Sequence, residues 1–410
     1  MRSVKTVELP AWAQTEQAQA VMKALNDEGA LQTLYVGGCV RNHLLGVPVS
    51  DIDLATVHTP EQAISRLQRA GFGTVPTGID HGTVTAIAEG LTFEVTSLRR
   101  DVSTDGRRAV VAYTDDWVAD AQRRDFTINT LLMSQQGQVY DPTGCGLADL
   151  EARRVVFVGN PAERIAEDYL RILRFFRFHA TYGRGNPDQA GLAACTAGAA
   201  GIDTLSRERI TQEILKLLAL AGAGDTLSVM VKARVAARFY KADLPLDRVI
   251  GYFDMQSCNR AVHALARLAV TVAFDHDFIK ENFALSNAQI LFLKNMASAI
   301  EELQVRDRCH IRQSVYAFGN EATAQALLFC FAQGQHETDG DESLLALAKA
   351  WRPPAFPLAG ADVLASGIKA GPAVGRILAQ AEIWWRAADF VPDRAACLAW
   401  LQRHVSQQIE

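Results

Sequence analysis

Leu34-Tyr35-Val36-Gly37-Gly38-Cys39-Val40-Arg41, followed by Asp51-Ile52-Asp53-Leu54, is the stretch whose reading decides the fold. Leu34-Tyr35-Val36 is an apolar, β-prone run that ends on two glycines, and a helix is expected over 40–45. A strand passing through Gly37-Gly38 into a helix lets an anion approach backbone amides at the helix N-terminus, and Arg41 adds a charge-assisted contact. Alone, a Gly-Gly pair is more often a plain tight turn. Read as a strand, Asp51-Ile52-Asp53 points both aspartates one way and Ile52 into the core. Their Cα atoms then lie about 7 Å apart, close enough for both carboxylates to ligate one Mg²⁺. An isolated Asp-x-Asp is usually an Asx turn or a solvated loop. Two neighbouring anions behind a phosphate-type turn are harder to dismiss, because like charges repel unless a cation neutralises them.

Working outward, Thr92-Phe93-Glu94-Val95-Thr96 alternates, with Phe93 and Val95 on the apolar face and Glu94 on the other. If this strand neighbours the aspartate strand, three carboxylates converge, as two-metal phosphoryl transfer requires; an exposed edge-strand glutamate is the alternative. Thr83–Ala88 and 109–113 complete a plausible sheet. Helices are expected over 15–28 and over 60–70, the second capped by Thr59 with Pro60 at its first position. Beyond Asn160 strand signals almost vanish. Asn160-Pro161-Ala162-Glu163 reads as a capping box opening a helix to about 180, and helical periodicity continues over 206–220, 225–240, 258–273, 287–304, 312–333 and 342–351. The proline-rich run 352–357 separates a last helical module. The fold class is therefore α+β: an α/β head followed by an all-helical arm, with no repeat period.

On a helical wheel, Ile165, Tyr169, Ile172, Leu173 and Phe176 share a core face. Arg164, Glu167, Asp168, Arg171 and Arg174 occupy the opposite arc together with Phe175 and Phe178. Ion pairs from Asp168 to Arg171 and from Glu167 to Arg171 and Arg174 on a solvated face explain the charges. Two large rings on that arc call for a partner such as a stacked base.

The bulk properties bound these readings. At 410 residues, roughly two to four domains are expected. Hydrophobic residues make up 49% and charged residues 21%, a globular balance. No apolar signal segment or membrane-length run is visible, so a soluble, cytoplasmic protein is expected, with no membrane and no evident protein partner. The seven cysteines include no Cys-x-x-Cys pair, which disfavours a disulfide framework or zinc site and leaves buried reduced thiols. A net charge of −5 argues against coating nucleic acid through bulk charge, yet leaves room for a local basic stripe that contacts RNA.

Six stretches in order carry a family resemblance. They are the two quoted first, Asp101–Arg108 (Asp-Val-Ser-Thr-Asp-Gly-Arg-Arg), Arg123-Arg124-Asp125-Phe126-Thr127-Ile128-Asn129, Glu167-Asp168-Tyr169-Leu170-Arg171, and Arg207-Glu208-Arg209-Ile210 with Glu213. Spanning roughly 34–215, they resemble the tRNA nucleotidyltransferase and bacterial poly(A) polymerase family, in its CCA-adding, bacterial class II form. Asn42 stands where the family usually has Asp, a departure the chemistry does not feel. The resemblance implies a polymerase-β-like nucleotidyltransferase head over 1–155, a helical neck over 156–225 that recognises bases, a helical body over 226–350, and a tRNA-binding tail over 351–410. It implies Asp51, Asp53 and Glu94 as catalytic, with a two-metal Mg²⁺ site on Asp51 and Asp53. Gly37, Gly38, Arg41, Asp101, Arg107, Arg123, Arg124, Asp168, Arg171, Arg174 and Arg177 would bind nucleotide. Asp125, Asn129, Glu167 and Glu213 would support the motifs.

In this reading Asp168 and Arg171 replace a template strand. Cytosine and adenine each present an exocyclic amine beside a ring acceptor, which a carboxylate next to a guanidinium fits; guanine and uracil reverse that order. CTP and ATP would be donors and the tRNA 3′ end the acceptor. One of Arg123 and Arg124 would touch the triphosphate, Arg124 being favoured. Asp101, Arg107 and Arg108 resemble the sugar-reading segment, and the charged loop 99–124 could reshape the pocket between C and A addition.

The rivals are a poly(A) polymerase, a partial CC- or A-adding enzyme, and, from another class, a non-catalytic RNA-binding protein. A poly(A) polymerase usually carries a basic C-terminal extension and an Arg-rich strand after the metal aspartates, where this chain has Gly78-Ile79-Asp80-His81-Gly82-Thr83-Val84. An inert head predicts loss of the aspartates or of 123–129, and neither is lost. In the C-terminal half, Asp275-His276-Asp277 reads as a helix-terminal surface cluster rather than a metal site. Gly371–Arg376 resembles a tail element opening the final helix, where phosphate contact and a structural turn are both open. Trp384 and Trp385 read as packing residues.

Overall fold

The computed structural model describes residues 1–28, 30–79, 82–105, 108–240, 245–334 and 341–409. Contacts divide these into two compact units, Met1–Arg238 and Phe239–Glu410.

The first unit opens on a sheet of eight strands. In chain order its strands are β1 (Ser3–Thr6), β2 (Thr33–Val36), β3 (Ile52–Thr56), β4 (Gly73–Gly78), β5 (Thr83–Ala88), β6 (Leu91–Ser97), β9 (Leu132–Met133) and β10 (Gln138–Tyr140). A separate hairpin pairs β7 (Arg99–Asp105) with β8 (Arg108–Tyr113). The sheet order is β1-β10-β9-β2-β3-β6-β5-β4. All neighbours are antiparallel except β3 and β6, which run parallel, so the two strands expected to carry carboxylates lie side by side at mid-sheet. β6 is flanked by β3 and β5, so Glu94 does not sit on an edge strand, although its side chain is exposed.

Eleven α-helices accompany this sheet among the described residues: α1 (Ala11–Gln14), α2 (Glu16–Leu25), α3 (Gly38–Leu45), α4 (Pro60–Arg69), α5 (Trp117–Gln122), α6 (Gly146–Glu151), α7 (Pro161–Glu167), α8 (Leu170–Tyr182), α9 (Gln189–Gly198), α10 (Arg207–Leu218) and α11 (Ala223–Lys232). Local chemistry explains several ends. Thr59 and Gln62 form a reciprocal capping box on α4, and the Asn160 side chain accepts from Ala162 N at α7. Leu34, Val36, Ala55, Leu98, Leu132 and Tyr140 pack on one face of the sheet, and the Thr33 and Thr56 hydroxyls bond across β2 and β3 at 2.8 Å.

The regular elements of the second unit are all helices among its described residues: α12 (Leu246–Cys258), α13 (Ala264–Thr271), α14 (His276–Asn282), α15 (Asn287–Glu302), α16 (Arg308–Phe318), α17 (Asn320–Ala332), α18 (Asp341–Ala350), α19 (Gly360–Ala365), α20 (Pro372–Ala387) and α21 (Arg394–Ile409). Around Trp385, Val363, Ile377, Cys397 and Leu401 form its C-terminal core.

Several expectations are corrected. The supposed loop 99–124 holds the β7–β8 hairpin and α5. The continuous helix expected over 312–333 is two helices, parted by Gly319 at φ +89°. Gly371 precedes α20, the penultimate helix, with α21 following. The cysteines are all free thiols, but Cys145 and Cys258 are exposed. Asp275 does cap a helix, accepting from Phe278 N.

Candidate active site

The site begins where β2 runs out. Gly37, at φ +67°, turns the chain into α3 and accepts the Arg41 amide at 2.9 Å. That backbone region is costly for any residue with a Cβ. A Cβ at Gly37 would lie 3.5 Å from Arg124 Nη1, and one at Gly38 would lie 3.7 Å from Asp53 Oδ2. The turn, the metal-type aspartate and an arginine therefore meet in one place.

Asp53 and Glu94 are direct partners in the parallel β3–β6 register. Burial pushes the Asp53 carboxyl up to about 6, and Glu94 and then Asp51 push the same way, while Arg124 and Arg41 oppose them. A half-buried carboxylate with carboxylate neighbours has the chemistry of a cation ligand. Asp51 differs from expectation. It lies one residue before β3, exposed, and its Oδ2 accepts from Ser50 Oγ at 2.8 Å. Among the described residues no three acidic, His or Cys side chains are grouped closely enough to hold a metal. The full convergence of three carboxylates is thus not formed among the described residues. Asp53 and Glu94 nonetheless fit a hard cation, and Asp51 is the nearest further carboxylate in sequence.

Arg123 and Arg124 share one anchor that the sequence reading missed. Asp120, on α5 and almost fully buried, accepts from Arg123 Nε at 2.9 Å on Oδ1 and from Arg124 Nη2 at 3.0 Å on Oδ2. Burial works to raise this carboxyl, but Arg124 and Arg123 outweigh it and hold it below its ordinary value. The i,i+3 and i,i+4 spacing was the available signal.

Deeper lies a network joining the sheet to α8. Asp125 accepts from Asn129 Nδ2 at 2.9 Å and from Arg174 Nε at 2.9 Å. Burial opposes ionisation of Asp125, yet Arg174 and the Asn129 amide hold its carboxyl low. Arg177 Nε donates to Glu213 at 2.6 Å. Arg41 is buried, donates to Asn129 Oδ1, and reaches the Tyr182 hydroxyl at 2.6 Å. Arg41, Arg174 and Arg177 all stand over the Phe178 ring. These three arginines therefore bind protein groups here rather than pointing into open space. Phe175 and Phe178 correct the expectation of base stacking: both are buried, and they pack with Phe126, while Phe157 stacks on Phe175.

The expected single helix 161–180 is also corrected. It breaks at Asp168, whose backbone is extended at φ −157°, ψ 104°. Asp168 then leaves the wheel, and among the described residues its carboxylate pairs with Arg209, not Arg171. Arg171 bonds Glu167 as expected, and also the carbonyls of Arg164 at 2.8 Å and Arg123 at 3.2 Å. Arg174 pairs with Asp125 instead of Glu167. Arg107 lies outside the described residues, as do the side chains of Asp101 and Arg108.

A family profile described as the Poly A polymerase head domain matches residues 33–156. The mouse protein "CCA tRNA nucleotidyltransferase 1, mitochondrial" is 33% identical over 384 residues, covering 90% of this chain and 86% of its own length. The chain belongs to the CCA tRNA nucleotidyltransferase family. A second relative, the "CCA-adding enzyme" of Limosilactobacillus fermentum, is 30% identical over 89% of this chain and 91% of its own. In fold, the chain resembles the Bacillus stearothermophilus CCA-adding enzyme in complex with CTP, with a TM-score of 0.77 and 24% identity over 98% and 99% of the two chains. For this nucleotidyltransferase, as for those relatives, an inert RNA-binding role is set aside. Its head profile contains Gly37, Asp53, Glu94 and Asp120–Asn129, whereas Asp168, at the break between α7 and α8, and Arg171, Arg209 and Glu213, on α8 and α10, lie beyond it. No helix among the described residues is long and apolar enough to cross a membrane.

Proposed function

We propose that this chain adds CCA to the tRNA 3′ end without a template, drawing on CTP and ATP and releasing pyrophosphate. The observation that carries this is the meeting of Gly37-Gly38, Asp53, Glu94 and Arg124 at the end of β2. The donor and acceptor are supported by the relatives' names and by solved neighbours described with CTP and with tRNA.

Asp51 and Asp53, with Glu94, would hold Mg²⁺. The chemistry supplied by two bound ions would be a more acidic 3′-hydroxyl and neutralised charge on the departing pyrophosphate. The amides opening α3 would receive phosphate oxygens, and Arg124, held by Asp120, would reach the triphosphate. Arg41, Arg174, Arg177, Asp125, Asn129 and Glu213 would act by fixing α8 against the sheet. Asp101 and Arg107 would read the ribose. Asp168 would accept the exocyclic amine of cytosine or adenine while Arg171 donates to the adjacent ring nitrogen. We carry the four-part division at 1–155, 156–225, 226–350 and 351–410 as part of this proposal, with a cytoplasmic setting.

The test is incubation with tRNA lacking its CCA end, Mg²⁺ and each labelled NTP. Incorporation of two C and one A, then arrest, is expected. Arrest after CC, or addition of A alone, would indicate a partial enzyme, and a long A tract a poly(A) polymerase.

A further inference from the structure

The two halves of the base reader are anchored by different elements. Arg171, the donor half, is held by Glu167 of α7 and by the carbonyls of Arg164 and Arg123. Asp168, the acceptor half, has a separate pair of donors: Leu170 N reaches Oδ1 at 3.1 Å, and Arg209 Nη2 on α10 reaches Oδ2 at 2.7 Å. Next to the break that frees Asp168 from the helix, the Tyr169 ring packs directly over Gly201, where a Cβ would come within 2.1 Å of the ring.

We propose that Arg209 is a positioning residue for nucleotide selection, fixing the plane of the Asp168 carboxylate toward the base. The inference rests on the base-reading role of Asp168 given above. A carboxylate with one backbone donor is free to swing about its Cβ–Cγ bond. A second donor on the other oxygen sets the plane, and each oxygen keeps a lone pair for an incoming amine. Selection between bases depends on that plane, because an acceptor turned out of line no longer distinguishes an amine from a carbonyl. The pair is solvent-screened, with side-chain exposures of 44% for Arg209 and 30% for Asp168. Such pairs contribute little to folding, so substitution at Arg209 reads orientation rather than stability.

The full chain is compared as wild type, Arg209→Ala, Arg209→Lys and Asp168→Ala, with tRNA lacking CCA, Mg²⁺ and each NTP. For Arg209→Ala, KM for CTP and ATP is expected to rise about tenfold, with a smaller fall in kcat. UTP and GTP incorporation should increase, and Arg209→Lys should recover part of the loss. The melting temperature should stay within about 2 °C of wild type. Wild-type KM and selectivity in Arg209→Ala, or a lowered melting temperature with KM unchanged, overturns the proposal. If Asp168→Ala loses base preference while Arg209→Ala keeps it, this inference alone fails. If Asp168→Ala keeps the wild-type preference, the base-reading role itself fails and takes the inference with it.

Discussion

Asp53 is half-buried and Asp120 almost fully buried, and their surroundings drive the two carboxyls in opposite directions. Asp53 has burial, Glu94 and Asp51 against its charged form, so its folded-state pKa of about 6 lies above the ordinary 3.8. A folded state that keeps the proton longer than the unfolded chain loses stability as pH rises from about 4 to about 6. A cation at Asp53 removes that cost. Mg²⁺ is therefore expected to raise the melting temperature more at about pH 7.5 than at about pH 5, and Asp53→Asn should flatten the difference. An equal Mg²⁺ shift at both pH values, read by thermal melts, would count against Asp53 as a ligand. Asp51→Ala should likewise abolish nucleotide addition; full retained activity would sink its assignment.

Asp120 instead holds two guanidinium groups. Asp120→Asn removes the charge and leaves Arg123 and Arg124 half-buried with one weaker acceptor. A loss of about 3 kcal/mol is expected, measured as a lower urea midpoint. An accompanying rise in KM for both CTP and ATP is expected if Arg124 meets the triphosphate; KM unchanged for both would assign Asp120 to folding alone.

At the scale of elements, the junction between α7 and α8 matters most. The sequence pattern is helical on both sides of Asp168, and a wheel drawn through it placed Phe175 and Phe178 on a polar arc. Tertiary packing decided otherwise: Tyr169 settles over Gly201, the helix restarts at Leu170, and both phenylalanines turn into the Phe126–Phe157 cluster. Gly201→Ala would force the ring off its seat, and a loss of about 1–3 kcal/mol is expected, with weaker discrimination between CTP and UTP. Wild-type stability and selectivity in that variant would remove the junction from the base-reading argument. Strands with clear alternation, such as Thr83–Ala88, were legible to the residue. β7 was not, because Arg99-Arg100-Asp101 has no apolar alternation and pairs only with β8.

Across the whole molecule, every residue assigned to chemistry lies in the unit Met1–Arg238, while Phe239–Glu410 supplies ten helices among its described residues. A chain ending at Arg238 is expected to keep Mg²⁺-dependent CTP binding, seen as a thermal shift, and to bind tRNA at least tenfold more weakly by filter binding, a difference of about 1.4 kcal/mol. Undiminished tRNA affinity would place the RNA contacts in the first unit.

The sequence by itself determined the turn at Gly37-Gly38, the alternation that aims Asp53 and Glu94 to one side of their strands, and the helical character of everything after Asn160. These follow from properties local to a few residues: a φ only glycine tolerates, a period of two, and capping side chains. Only the tertiary structure decided that β3 and β6 are parallel neighbours, that Asp120 binds two arginines, and that Arg209 rather than Arg171 meets Asp168. Each of these but the Asp120 pairs joins residues some forty positions apart. Local propensity carries no information about which distant charge closes on which, because that choice is made by the packing of whole elements.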